Sequence, residues 1–172
     1  MKFDLAIIGF GNVGQGLTKI IKDKKALLNE NFGVNLIIVA VCDLYKGSIA
    51  NSKGLDPELL LSNFKEHGNL KSVLAPIKGW NAIETIDNSD ADILVELSYT
   101  DLKTGEPALS HVKQALNNGM HVSMTNKGPV ALHFSELRQL ALNKNVQIGI
   151  EGTVMSGTPS INLGSEMLLA AG

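Results

Sequence analysis

The run FDLAIIGFGNVGQGLTKIIKDKKALL, from Phe3 to Leu28, constrains this chain more than any other. Its glycines would weaken the interior of a strand or a helix, so they make best sense between the two. Phe3 to Gly9 (FDLAIIG) reads as a short buried strand. Asn12 to about Asn29 reads as a helix with Val13, Leu17, Ile20, Ile21, Leu27 and Leu28 on its apolar face. The junction Gly9-Phe10-Gly11-Asn12-Val13-Gly14 fits G-x-G-x-x-G, a pattern that gains its weight from this strand-to-helix setting. There Gly9 permits a tight turn, Gly11 leaves room for a pyrophosphate against the backbone, and Gly14 lets the helix approach the sheet. The exposed amides at the helix start suit an anionic ligand. The plainer alternative is a glycine-rich turn with no ligand.

The rest of the chain repeats strand and helix. Val34 to Asp43 (VNLIIVAVCD), Asp92 to Ser98 (DILVELS), His121 to Thr125 (HVSMT) and Val146 to Ile150 (VQIGI) read as strands. Thr104 is the expected cap of a helix running to Asn118 with Gly119 as its stop. Pro129 opens a helix to about Lys144 with Leu137, Leu140 and Ala141 on one face, and Pro159 opens a last helical stretch. Between Leu44 and Glu84, Asp56-Pro57 starts a helix and a second short one is expected near Asn69, with little that reads as strand. Continuously apolar strands alternating with helices predict an α/β, Rossmann-type doubly wound fold, a mainly parallel sheet with helices on both faces. At 172 residues, 44% hydrophobic and 19% charged, the chain suits one such domain.

The glycine pattern calls for an acidic residue ending the second strand, and Asp43 stands there, later than the usual spacing of about twenty residues. Its carboxylate can accept both ribose hydroxyls, which favours NAD. Lys46 and Lys53 follow and could neutralise the extra phosphate of NADP, so the preference between NAD and NADP stays open. The alternative is that Asp43 merely ends the strand and the lysines are solvated.

Three later segments join the glycine turn: VELSYTDLKTGEPAL (Val95 to Leu109), HVSMTNKGPVAL (His121 to Leu132) and IEGTVMSGTPSI (Ile150 to Ile161). In this order the chain resembles the amino-terminal, NAD(P)-binding domain of homoserine dehydrogenase, over nearly its whole length and least between Lys46 and Glu84. The resemblance implies reversible oxidation of homoserine to aspartate 4-semialdehyde with NAD or NADP, on the route to threonine and methionine. It implies that Phe10, Gly11, Asn12 and Val13 line the pyrophosphate, and that Ser98, Tyr99 and Thr100 flank the nicotinamide-side ribose and ring. Lys127 matches the family's lysine near nicotinamide and substrate. Glu151, with carbonyls of Val154, Ser156 and Thr158, matches a monovalent-cation site (Na⁺ or K⁺), although Met155-Ser156 departs from the commoner small residues. The resemblance also implies a dinucleotide-binding domain over 1–158 and a helix over 159–172. That helix would lead to a substrate and dimerisation domain absent from this chain, which alone should turn over little substrate. The longer protein would be a homodimer.

Gly9, Asp43, Ser98, Lys127 and Glu151 all fall at expected strand ends, where an open parallel sheet binds its ligands. A lysine such as Lys127 can hold an oxygen on which negative charge develops, although a lysine after a strand is more often solvated. His67, His111, His121 and His133 lack metal-ligand spacing, and Cys42, Trp80 and the methionines read as core. A net charge of −2 without a basic block points away from nucleic acid, and no apolar run is long enough to span a membrane. One cysteine fits a reducing compartment, with cytoplasm as the default. Two alternatives stand beside the dehydrogenase: a non-catalytic NAD(P)-binding sensor or docking module, and another semialdehyde or amino-acid dehydrogenase of the same fold.

Overall fold

The structure is a computed structural model that describes residues 1–168. Expectations for the last four positions of the 159–172 helix lie outside the described residues. Seven strands among the described residues form one sheet: β1 (Lys2–Ile8), β2 (Asn35–Asp43), β3 (Gly47–Ala50), β4 (Ile77–Lys78), β5 (Ile93–Glu96), β6 (His121–Met124) and β7 (Ile148–Gly149). Their order across the sheet is β4-β3-β2-β1-β5-β6-β7. Strands β2, β1, β5, β6 and β7 run parallel, whereas β3 and β4 add an antiparallel edge.

Alternation along β1 divides the core. Leu5 and Ile7 join Ile21, Leu60 and Leu70 on one face, under helices α1 (Asn12–Asp23) and α3 (Pro57–His67). Ala6 and Ile8 join Ile86, Val112, Leu116 and Leu137 on the other, under α4 (Ala82–Asn88), α5 (Ala108–Asn117) and α6 (Lys127–Lys144). Burial on both faces explains the unbroken apolar composition of β2. The doubly wound, mainly parallel fold is therefore as expected from the sequence.

Several local expectations are corrected. The first helix stops at Asp23, and a separate α2 (Lys25–Phe32) follows it. The buried residues of α1 are Gly14, Thr18 and Ile21, so the next turn of that stripe would carry Lys25 into the core. Val13, Ile20 and Leu27, expected on the apolar face, are about half exposed. No helix begins near Asn69, whose side chain instead accepts from Lys71 N–H in a turn. Helix α4 starts later, at a capping box in which Asn81 and Glu84 satisfy each other's backbone N–H. Strands β3 (four residues) and β4 (two residues) add to the expected sheet; neither carries the continuous apolar run that marks the central strands.

Thr104 does not cap α5. Its N–H and hydroxyl both donate to Asp101 Oδ1, and Pro107 keeps the preceding residue out of helical conformation. Helix α6 reaches Lys144 as expected but kinks at His133 (φ −135°). The strand expected over Val146–Ile150 shortens to β7, and Pro159 precedes only a three-residue α7 (Ser160–Asn162) and a π-helical turn, Leu163–Met167. No helix among the described residues is long and apolar enough to cross a membrane.

Candidate functional site

The connections from β1 lead to β2 on one side and, after the edge strands, to β5 on the other. A crevice therefore opens beyond the carboxyl ends of β1 and β5, where an open sheet receives its ligand. Gly9 forms its floor with φ +97°. A Cβ there would lie 2.6 Å from the Leu97 carbonyl oxygen and 2.8 Å from Ser98 N, so the turn and the end of β5 meet at van der Waals contact or closer. A Cβ on Gly14 would lie 2.5 Å from the Gly9 carbonyl oxygen, which is how α1 comes so near the sheet. Gly11 has nothing within 4 Å of its Cβ position, and that open space lies over the start of α1.

Helix α1 has no side-chain cap and no acidic residue in its first turn. By contrast, Asp56 caps α3 and Asn81 caps α4. The first N–H groups of α1 thus meet open space with the positive end of the helix dipole behind them, which suits a phosphate. The structure brings Asn12 and Val13 to this position, both exposed. Phe10 is different. Its ring is fully buried, edge-on to Phe64 with centroids 5.7 Å apart, and its N–H is engaged by Asp43.

Asp43 is saturated. Oδ2 accepts from Phe10 N–H (2.8 Å) and Lys46 Nζ (3.1 Å), while Oδ1 accepts from the N–H groups of Tyr45 and Lys46, both at 3.1 Å. These occupy about four lone-pair sites, the full capacity of a carboxylate. Burial alone would push this carboxyl up, but the Phe10 N–H, the Lys46 ammonium and the two further N–H groups outweigh it and hold the carboxyl below its usual range. Asp43 therefore ties the glycine turn to the end of β2. Lys46 belongs to this cluster, but Lys53 does not. The β2–β3 pairing carries the chain back along β2, so that Asn51 N–H meets the Val39 carbonyl and Leu55 N–H the Ile38 carbonyl. At about 3.3 Å per residue, Lys53 sits roughly 15–20 Å from Asp43. The basic residue that the fold does bring to this corner is Lys71, whose Cγ lies against Gly47. Only the long return of the chain through α3 puts it there, and no sequence spacing signals it.

Across the crevice, Ser98 follows β5 half-buried, Tyr99 is exposed, and the Thr100 hydroxyl packs on Gly128. A Cβ on Gly128 would lie 2.5 Å from Thr100 Oγ1 and 3.1 Å from Gly105 Cα, so the 98–105 loop packs closely on the start of α6. Asn126 is buried and donates through Nδ2 to the Ser98 carbonyl at 2.9 Å. Lys127 is exposed at the first position of α6, with no ion pair among the described residues. Gly9, Asp43, Ser98 and Lys127 thus line the carboxyl ends of neighbouring strands β1, β2, β5 and β6.

Glu151 lies farther along the same rim, in a 3-10 turn (Glu151–Thr153). Its two carboxylate oxygens accept from Ile161 N–H (3.0 Å) and Asn162 N–H (3.1 Å), capping α7. The Val154 carbonyl accepts from Ser160 Oγ at 3.4 Å and the Thr158 carbonyl from Ser160 N–H at 2.7 Å. Met155 and Ser156 adopt φ near +55°. Each oxygen of this carboxylate thus accepts one backbone N–H, which leaves about two of the four lone-pair sites of a carboxylate for another partner. Among the described residues no cluster of three or more His, Cys, Asp or Glu side chains could hold a metal.

A family model described as the NAD binding domain of homoserine dehydrogenase matches residues 9–151. The NAD(+)-dependent homoserine dehydrogenase of Pseudomonas canavaninivorans is 38% identical over 167 residues, 97% of this chain and 47% of that protein. A homoserine dehydrogenase of Methanocaldococcus jannaschii is 34% identical over 165 residues, 96% of this chain and 48% of its own length. Among solved structures, a hyperthermophilic archaeal homoserine dehydrogenase in complex with NADPH matches with TM-score 0.79 at 31% identity, covering 95% of this chain and 48% of that one. The chain spans about half the length of the curated relatives it matches.

Proposed function

This chain belongs to the family of homoserine dehydrogenase NAD-binding domains, and on that premise we propose that it holds a nicotinamide dinucleotide across the β2–β1–β5–β6 rim. In this reading the dinucleotide serves the interconversion of homoserine and aspartate 4-semialdehyde. The observation that carries the reading is the uncapped start of α1 beneath the open space at Gly11, flanked by Asp43 on one side and Ser98 on the other. The N–H groups of Asn12 and Val13 receive the pyrophosphate. The Phe10 N–H, already committed to Asp43, acts by holding the turn in shape.

The adenosine-side ribose lies at Asp43 and Lys46, and Ser98, Tyr99, Thr100 and Lys127 face the nicotinamide end. For the ribose to reach Asp43, the Lys46 ammonium must yield its lone-pair site, because no other donor on that carboxylate is a mobile side chain. The released ammonium then stands beside the ribose, where it can meet either hydroxyls or an added phosphate. Bound there, the nicotinamide supplies or takes up the hydride. Lys127 stabilises the substrate oxygen on which negative charge develops, and its exposure lets it reach a substrate held from the far side of the crevice. The matched relatives are about twice as long, so productive placement of the aldehyde belongs to the longer protein. A homodimer of that protein and a cytoplasmic location complete the reading. A monovalent cation held by Glu151 with the carbonyls of Val154, Ser156 and Thr158 would draw on the carboxylate lone-pair sites that the α7 N–H groups leave.

Calorimetric titration of this chain with NAD⁺ and with NADP⁺ tests the proposal. Binding of at least one, weakened by a bulky residue at Gly11, is the expected result. Silence toward both would overturn it.

A further inference from the structure

Beneath the nicotinamide end of the crevice lies a buried acidic group that the reading above does not use. Glu96, the last residue of β5, has 0% exposure. Its Oε1 accepts from both the N–H (2.7 Å) and the hydroxyl of Ser98, and its Oε2 is 2.8 Å from His111 Nδ1 on α5. His111 is itself buried. A carboxylate in the middle of a sheet is costly unless every oxygen is partnered, and here the partners come from two different elements. Because a carboxylate only accepts, the proton of the His111 contact sits on Nδ1, and the Ser98 hydroxyl spends its single hydrogen on Glu96. The other acceptor within reach of that hydroxyl, the Tyr99 carbonyl, is farther off at 3.3 Å.

Ser98 is therefore gripped at three points, since Asn126 Nδ2 donates to its carbonyl. Gly9 also packs directly against its peptide. What Ser98 Oγ has left for the crevice is acceptor capacity alone. A dinucleotide lying from the end of β2 over β1 reaches β5 with its second ribose, whose hydroxyls are donors.

We infer that Glu96, braced by His111, is a positioning residue that fixes Ser98 as a hydrogen-bond acceptor for a hydroxyl of the nicotinamide-side ribose. This inference rests on the dinucleotide reading and goes beyond it, assigning a role to two residues that never touch the ligand. Replacing the pair together by apolar residues of similar size, Glu96→Met with His111→Leu, removes the grip without leaving either partner buried alone.

The test measures dissociation constants of the dinucleotide that the wild type prefers and of its adenosine half alone (ADP, or its 2′-phosphorylated form), which stops short of the second ribose. The double variant should bind the dinucleotide about tenfold more weakly, the worth of one hydrogen bond of this kind. It should bind the adenosine half as the wild type does. Ser98→Ala should lose a similar factor, and adding it to the double variant should cost little more, since both remove one interaction. Glu96→Gln should rescue, because its carbonyl oxygen can still accept both Ser98 bonds while its amide donates to His111 Nδ1 once the imidazole proton moves to Nε2. Equal losses for dinucleotide and adenosine half would reduce the pair to a structural role and overturn the inference, as would an unchanged dinucleotide constant in the double variant. If the wild type binds neither ligand, the dinucleotide reading itself fails.

Discussion

The crevice at β1 and β5 and the segment from Glu151 to Leu168 lie at the same end of the sheet, yet they are held in opposite ways. In the crevice nearly every backbone approach is closed by a neighbour. Gly9 touches the Leu97–Ser98 peptide, Gly14 touches Gly9, and Asp43 and Glu96 each accept several hydrogen bonds beneath the surface. Beyond Glu151 the chain is mostly exposed, with Met155 68% and Met167 74% accessible, and one carboxylate joins its turns. A site that must present fixed donors to a ligand needs the first kind of support. The second kind defines a local shape that a few hydrogen bonds can hold or release.

The largest expected effect is therefore at Gly9. Gly9→Ala combines a left-handed backbone with a Cβ 2.6 Å from a carbonyl oxygen, and neither neighbour is a side chain that could swing away. Loss of roughly 3–5 kcal/mol is expected in urea denaturation, with loss of dinucleotide binding. A near-neutral result would break the comparison at its strongest point, because it would mean that β5 can retreat from the turn.

Asp43→Asn should act next. The amide cannot accept all four hydrogen bonds, and about 1.5–3 kcal/mol should go, the range for a hydrogen bond to a charged group. The effect has a pH signature. In the folded chain this carboxyl is held below its ordinary value, so its contribution is fully present above the unfolded value of about 3.9 and disappears as the pH falls through the lower folded value. Wild-type and variant stabilities should therefore differ most near neutrality and converge in acid. A gap that stayed constant down to acid would mean that shape, not charge, holds the turn.

How much of this was legible in the chain depends on the reach of the contact. The glycine turn, Asp43 and Lys127 could be read because each falls at a strand end with a recognisable local pattern, and the two-sided core followed from apolar runs in β1 and β2. The capping box at Asn81 and Glu84 is local too, three residues apart, and so is a signal the sequence carries. The Glu96–His111 pair was not readable. It joins a strand end to the interior of a helix, 15 residues apart, with no spacing that marks it. Lys53 differs for the converse reason: it follows Lys46 closely in sequence, but the reversal into β3 carries it back beside the middle of β2, away from Asp43.

The segment beyond β7 should answer more gently. Glu151→Ala removes both acceptors for Ile161 and Asn162 N–H, and about 1 kcal/mol is a typical cost for losing a helix cap. The loss should remain local, with faster amide exchange at those two positions and a denaturation midpoint close to wild type. The competing outcome comes from an ion. If a monovalent cation organises this loop, replacing Na⁺ or K⁺ by a bulky organic cation at constant ionic strength should already loosen the wild type, and the variant should lose that sensitivity. If Glu151 serves chiefly as the cap of α7, wild-type exchange should be indifferent to the cation. Gly157→Ala gives the smallest effect and the baseline for the rest. Nothing lies within 4 Å of its Cβ position, and its backbone is not among the left-handed ones. The change should therefore stay within about 0.5 kcal/mol, set against the several expected at Gly9. A loss at Gly157 comparable to that at Gly9 would mean that the loop is packed as tightly as the crevice, and the contrast between the two regions would fall.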